Sequence, residues 1–160
     1  MDEIKIFNLN DMQHQIKHVA KMQYLANNAE KRGRKLSEYE YRVAHSIQGG
    51  NSGLPQTHVA MLGDKILGSV SLYHGDLHNR PDLTPWLTWL MTHPDFQRNG
   101  VGKMLQEHIK SVAKKLGYPE IYLMTDHENY YERTGWEFIG HAPRNDATMR
   151  LYKHNLTLDK

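Results

Sequence analysis

The 160-residue sequence predicts an α/β fold, a mixed sheet covered by helices, on three observations. Apolar runs of period two and period 3.6 alternate along the chain and give the order βααβββαβαββ. The stretch 86–124 reads strand, helix, strand, the parallel crossover unit whose hand is right in nearly all proteins. No repeat and no linker long enough to divide the chain interrupts this order, so residues 1–160 are expected to form a single domain.

Residues 4–9 alternate weakly and read as a short strand. Asn10 or Asp11 then offers a helix cap before Met12, Ile16, Val19 and Met22, which fall at helical spacing. A poorer helix covers 37–47, with Ser37 as cap and Glu40 three residues on. The glycine-rich stretch 49–53 is a loop. The runs 58–62 and 66–73 flank Gly63-Asp64, a hairpin signal. Residues 74–85 hold two prolines and connect to an aromatic, apolar strand at 86–92, where Trp86 and Trp89 lie on opposite sides if the pleat is regular. One of them is expected to face the core and the other a cleft. Helix 101–116 has the cleanest apolar stripe, through Met104, Leu105, Ile109, Val112, Ala113 and Leu116, and ends at Gly117 and Pro119. A strand at 121–124, a short helix at 129–134 closed by Gly135, and strands at 136–140 and 148–153 complete the order.

Composition narrows the function classes. A formal charge of +2 makes no demand for nucleic acid or an anionic membrane. The absence of cysteine excludes disulfide scaffolds, thiolate zinc sites and a cysteine nucleophile. No apolar run approaches membrane-spanning length and the first residues carry no signal-peptide core, so a cytoplasmic protein is expected. Eleven histidines include the helical-spaced pairs His14/His18 and His74/His78, but no third ligand follows, and His127-Glu128 lacks the second histidine of a zincin motif. No metal is expected, and the histidines read as surface residues. Lys103, Lys110, Lys114 and Lys115 share their helix with Glu107 and read as a solvated face, not a nucleic-acid stripe.

The chemistry concentrates at Gln97, Arg98, Asn99, Gly100, Val101 and Gly102, with Lys103 following. The run leaves a predicted strand and opens a predicted helix, so its backbone N–H groups are the unsatisfied donors of a helix N-terminus and favour an anion. Gly100 and Gly102 remove the Cβ atoms that would hold a phosphate away, and Arg98 and Lys103 add positive charge. A Walker A loop needs glycine at 97 and serine or threonine at 104, where Gln97 and Met104 stand. A dinucleotide fingerprint needs glycine or alanine at 105, where Leu105 stands. The pattern Gln/Arg-x-x-Gly-x-Gly/Ala is met at every position.

With the lead-in Thr92-His93-Pro94-Asp95-Phe96 and the downstream run Tyr131-Glu132-Arg133-Thr134-Gly135-Trp136, the sequence resembles the GNAT superfamily of N-acetyltransferases, as a small stand-alone bacterial-type member. The resemblance is firmest over 86–140. It implies a mixed, mainly antiparallel central sheet of six to seven strands flanked by about four helices. It implies transfer of acetyl from acetyl-CoA to a primary amine by direct attack in a ternary complex, the loop wrapping the pyrophosphate and the backbone of Leu90, Met91 and Thr92 meeting the thioester. It also implies Tyr131 as the acid that protonates the leaving thiolate; on a helical turn Tyr130 beside it is expected to point elsewhere. The general base is open among Asp126, His127, Glu128, Asp76 and Asp82; Asp126 is favoured because it ends the strand beside the acetyl site. Only two residues separate Asn129 from Tyr131, fewer than many relatives allow, which puts a cofactor contact by Asn129 in doubt. Glu38, Glu40, Asp76 and Asp82 suggest an acidic acceptor pocket suited to a cationic amine. A non-catalytic acyl-CoA-binding or regulatory module and an unrelated nucleotide-binding domain are the alternatives, and a homodimer is left open.

Overall fold

The computed structural model describes residues 3–75, 80–144 and 147–158. Seven strands form one sheet, β1 (Ile4–Asn8), β2 (Gln56–Leu62), β3 (Lys65–Tyr73), β4 (Trp86–Thr92), β5 (Glu120–Thr125), β6 (Glu137–Arg144) and β7 (Ala147–Asn155), in the order β1-β2-β3-β4-β5-β7-β6. All neighbours are antiparallel except β4 and β5. That parallel pair is joined through helix α3 (Val101–Lys115), as the strand–helix–strand reading requires. Helices α1 (Ile16–Ala26) and α2 (Leu36–His45) precede β2. Mixed sheet, strand number and crossover all agree with the expected fold class.

The sheet is buried on both faces. Leu105, Ile109 and Ala113 of α3 pack with Leu67, Leu87, Ile121 and Leu123 on one face. Val19, Ala20, Tyr39 and Val43 of α1 and α2 pack with Val59 and Met61 on the other. Alternation along β2 sends Ala60 to the α3 side and its neighbours Val59 and Met61 to the α1–α2 side. Gly68 lets α3 close on the sheet: a Cβ there would lie 2.7 Å from the Met91 carbonyl oxygen and 3.1 Å from Leu105 and Val101 side-chain carbons.

Four local expectations are corrected. The predicted first helix begins as a 3-10 segment, Leu9–Gln15, kinked at Met12, and its cap is Asn8, whose side chain accepts from the Asn10 N–H. Helix α2 starts at Leu36 without a side-chain cap, so Ser37 lies inside it and caps nothing. The short helix at 129–134 is a 3-10 turn, Tyr131–Thr134, because Asn129 (φ 65°) and Gly135 (φ 92°) both adopt left-handed backbone and leave too few residues for an α-helix. Lys110 is not solvated. Its side chain is buried, and Nζ meets Glu107 Oε1 at 3.3 Å and the Thr134 carbonyl at 3.1 Å.

Candidate active site

β4 and β5 pair only at Trp86↔Tyr122 and then part. The β5-facing edge of β4 beyond that pair has no ladder partner, and two cavities flank the divergence. Such an opening at the carboxyl ends of parallel strands is where open α/β sheets bind ligands.

The first cavity, about 830 Å³, is framed by the loop between β4 and α3. Gln97, Arg98, Gly100, Val101, Gly102 and Lys103 form one wall. Arg98 (φ 65°) and Gly100 (φ 79°) are both left-handed, a loop shape that turns successive N–H groups to one side. Gly100 stands at the N-cap of α3 and no side chain caps the helix, so the first-turn N–H groups keep no intrahelical or side-chain partner. At Gly102 a Cβ would come to 3.5 Å from Tyr130 Oη and 3.9 Å from Thr92 Oγ1, so the glycine keeps the entrance between them open. The fit to a diphosphate is chemical as well as spatial: unpaired donors, a helix dipole and two cationic side chains face one space.

Leu90 and Thr92 of β4 line the same cavity, and His127, Glu128, Tyr130 and Tyr131 close it from the β5 side. Tyr131 is buried, its ring edge-on to Tyr130 at 4.7 Å and to Trp136 at 6.2 Å between centroids. Among the described residues no group hydrogen-bonds its hydroxyl. Burial, with the neighbouring Tyr130 second, raises its pKa, so the phenol stays protonated through the neutral range. A protonated, uncommitted phenol at the cleft wall can donate to a developing anion.

Several expectations change at this point. Tyr130 does not point away; the irregular chain at 126–130 turns it over the loop, where its hydroxyl accepts from Gln106 Nε2 at 3.3 Å. Asp126 follows directly on β5, but its side chain is 77% exposed beside His127 and does not line the cavity, whereas His127 and Glu128 do. Met91 sits in register with Ser69 of β3, and Asn99 is exposed; neither lines the cavity. Asp82 is exposed and bound to Arg80 at 3.1 Å, and Asp76 lies outside the described residues.

The strained backbone marks both cavities. Four described non-glycine residues have positive φ, Asn28, Trp89, Arg98 and Asn129, and strain of this kind collects at functional sites. At Trp89 (φ 52°) the β3–β4 register slips, Ser71 facing Thr88 while Ser69 faces Met91. This bulge breaks the pleat expected of β4. Trp86 joins Tyr122 and Leu151 in the sheet, while Trp89 swings toward α2, so the two tryptophans do not take opposite faces.

Trp89 thereby walls the second cavity, about 430 Å³, between α2, β4, β5 and the β6–β7 hairpin. Among the described residues Arg32, Arg34, Arg42 and Arg144 line it against one carboxylate, Glu38. Glu40 does not reach it. Of the acids expected around the acceptor, only Glu38 among the described residues lines this cavity, facing four guanidinium groups and engaged with Arg34 at 3.6 Å.

Sequence reasoning missed Gln106, which is fully buried although polar. Its Oε1 accepts from Trp136 Nε1 and Thr134 Oγ1, both at 3.2 Å, tying the tyrosine turn to α3. His58, too, is buried and not a surface histidine. Among the described residues no three His, Asp or Glu side chains are grouped to hold a metal, and no helix is long and apolar enough to cross a membrane.

Comparison with known proteins agrees with this geometry. An aminoglycoside 6'-acetyltransferase type Ii superposes with a TM-score of 0.74 at 15% identity, over 96% of this chain and 97% of that one. An aminoglycoside 6'-N-acetyltransferase complexed with coenzyme A gives 0.73 at 13% identity, over 96% and 97%. A chimeric spermidine N-acetyltransferase from Vibrio cholerae and hSSAT gives 0.72 at 16% identity, over 98% and 99%. At these identities the likeness is one of fold. No curated protein sequence matches the chain significantly. The family model described as an acetyltransferase (GNAT) domain matches residues 54–138, more than half of the sequence and the whole span from β2 into β6, and the chain belongs to the GNAT acetyltransferase family.

Proposed function

We propose that the protein transfers the acetyl group of acetyl-CoA to a primary amine by direct attack within a ternary complex, in the cytoplasm. The observation that carries this reading is the sharing of one cavity by the uncapped start of α3 and the buried Tyr131. The loop binds the pyrophosphate, and the unladdered edge of β4 at Leu90–Thr92 receives the pantetheine arm and thioester. The acceptor nitrogen attacks the thioester carbonyl carbon. As the C–S bond breaks, Tyr131 donates its proton to the leaving sulfur, giving free CoA and the amide. The attacking nitrogen loses its proton to a base or a water relay, for which His127 and Glu128 are the wall residues in reach. The phenolate then regains its proton from solvent. The solved relatives support amine acceptors, since those named above act on an aminoglycoside or on spermidine.

Calorimetric titration with CoA, ATP and NAD tests the donor, and thiol release with an amine panel tests turnover. Binding of CoA alone among the three, followed by acceptor-dependent thiol release, is expected. A melting temperature unmoved by millimolar CoA overturns the reading.

A further inference from the structure

We infer that the amine acceptor carries an anionic group, carboxylate or phosphate, which Arg42 grips in the cavity between α2 and β4. The inference rests on the acetyltransferase reading for what happens to the amine, and on the cavity alone for the charge.

Arg42 is half-buried, its guanidinium 3.5 Å from the centre of the Trp89 ring and 4.5 Å from that of Tyr39. One nitrogen donates to Gln23 Oε1. No carboxylate among the described residues lies within ion-pair distance of it, and burial lowers its pKa against smaller upward pulls from Tyr39, which also hydrogen-bonds it, and Tyr73. Glu38, the only acid on the wall among the described residues, is 3.6 Å from Arg34. Arg32 donates to Asn27 Oδ1 at 2.9 Å, and Arg144 reaches the wall from β6. An uncompensated guanidinium held between two aromatic rings has lost its side-chain freedom in advance and keeps donors for a planar, two-oxygen partner. A polycationic acceptor would instead bring like charge to Arg42, which has no carboxylate partner among the described residues. The lining of the two cavities is consecutive along β4: Leu87, Thr88 and Trp89 in this one, Leu90 and Thr92 in the loop cavity. An anion at Arg42 therefore leaves an amine on the same small molecule directed at the parting of β4 and β5.

The test compares matched acceptors in thiol release with acetyl-CoA. β-Alanine and glycylglycine are run against their amides, O-phosphoethanolamine against ethanolamine, and spermidine serves as the polycation. At least one anionic member is expected to exceed its neutral partner at least tenfold in kcat/KM, and the pair that does so says whether carboxylate or phosphate is the group held. In Arg42→Gln that ratio should collapse toward one, and Arg42→Lys should recover part of it; the ratio is internal to each variant, so a partial loss of folded protein does not imitate the effect. Anionic members no better than their partners, spermidine as the preferred acceptor, or an undiminished ratio in Arg42→Gln would each overturn the inference. CoA binding by calorimetry separates the two failures. If CoA binds while anions are not preferred, the acetyltransferase reading stands and the acceptor assignment falls; if CoA does not bind, the reading itself falls.

Discussion

The Arg42 guanidinium lies 3.5 Å from the centre of the Trp89 ring, joining helix α2 to the one residue of β4 whose backbone is left-handed. A bulky residue at positive φ costs about 1–3 kcal/mol, which the ring's contacts must outweigh. Trp89→Gly should relieve that strain and remove the platform together. Acceptor KM is expected to rise roughly 2- to 30-fold, matching the ~0.5–2 kcal/mol of a cation–π contact, with CoA affinity retained. Parallel measurement of acceptor KM and CoA Kd checks this. An unchanged KM would mean that Trp89 serves the bulge alone.

Tyr131→Phe keeps the ring contacts with Tyr130 and Trp136 and deletes only the proton donor. General acid catalysis contributes about 10²–10⁴-fold, so kcat should fall at least ~100-fold at the low end of that range, with CoA Kd little changed. Because burial raises the pKa of this phenol, its protonated form persists as pH rises, and it should impose no loss of wild-type kcat up to pH values near that of an ordinary tyrosine, about 10. Turnover in Tyr131→Phe equal to wild type would remove the acid.

Legibility followed sequence separation. The loop 97–102, the run 131–136 and the apolar stripe of α3 are local patterns, and a helix N-terminus displays its donors whatever surrounds it. The charge of the second cavity is not legible along the chain, because Arg144 joins Arg32 and Arg42 only after α2 and the β6–β7 hairpin fold toward the same edge. Trp89 was misplaced for a related reason. A period-two pattern assumes an unbroken pleat, and the bulge that turns it toward Arg42 leaves no mark in the letters Trp-Leu-Thr-Trp. Nothing in the sequence marks Gln106, because the partners it satisfies lie 24 to 30 positions away.

The two loop glycines should fail in different ways. At Gly100 nothing lies within 4 Å of an added Cβ, but φ is 79°, so Gly100→Ala should cost about 1–2 kcal/mol of stability. At Gly102 the backbone carries no such strain and a valine would project between Tyr130 and Thr92. Gly102→Val should therefore melt near the wild-type temperature and bind CoA at least tenfold more weakly. Denaturant titration and calorimetry on both variants check the separation; wild-type CoA affinity in Gly102→Val would reduce the loop to a helix cap.

Gln106→Leu removes the acceptor for Trp136 Nε1 and Thr134 Oγ1 and the donor to Tyr130. A buried donor left without a partner costs about 1–3 kcal/mol, and the Trp136 indole is 3% exposed. The variant should lose stability in that range. Since the same bonds hold the tyrosine turn against α3, kcat should fall while the acceptor KM changes little. Gln106→Glu, which keeps both acceptor bonds, should recover more stability than leucine. Equal loss in the two variants would assign the effect to packing.

His58 makes acid sensitivity a property of β2. It is 6% exposed, with Nδ1 2.9 Å from His108 Nε2 and Nε2 2.9 Å from Gln56 Oε1. Burial, followed by the neighbouring His108, depresses its pKa from 6.5 to about 4, against a smaller upward pull from Asp11. Burial, with Lys115 second, also lowers that of His108. The folded state therefore prefers the neutral ring. Above pH 6.5 neither state binds the proton and the full stability is present. Between 6.5 and about 4 the unfolded chain takes up the proton first, and stability falls as pH falls. At roughly 1.4 kcal/mol per pH unit the interval amounts to a loss on the order of 3 kcal/mol. Unfolding free energy measured from pH 7 to 4 should show this descent, and His58→Gln should flatten it while lowering stability at pH 7. Parallel descents in the wild type and the variant would transfer the acid sensitivity to other groups.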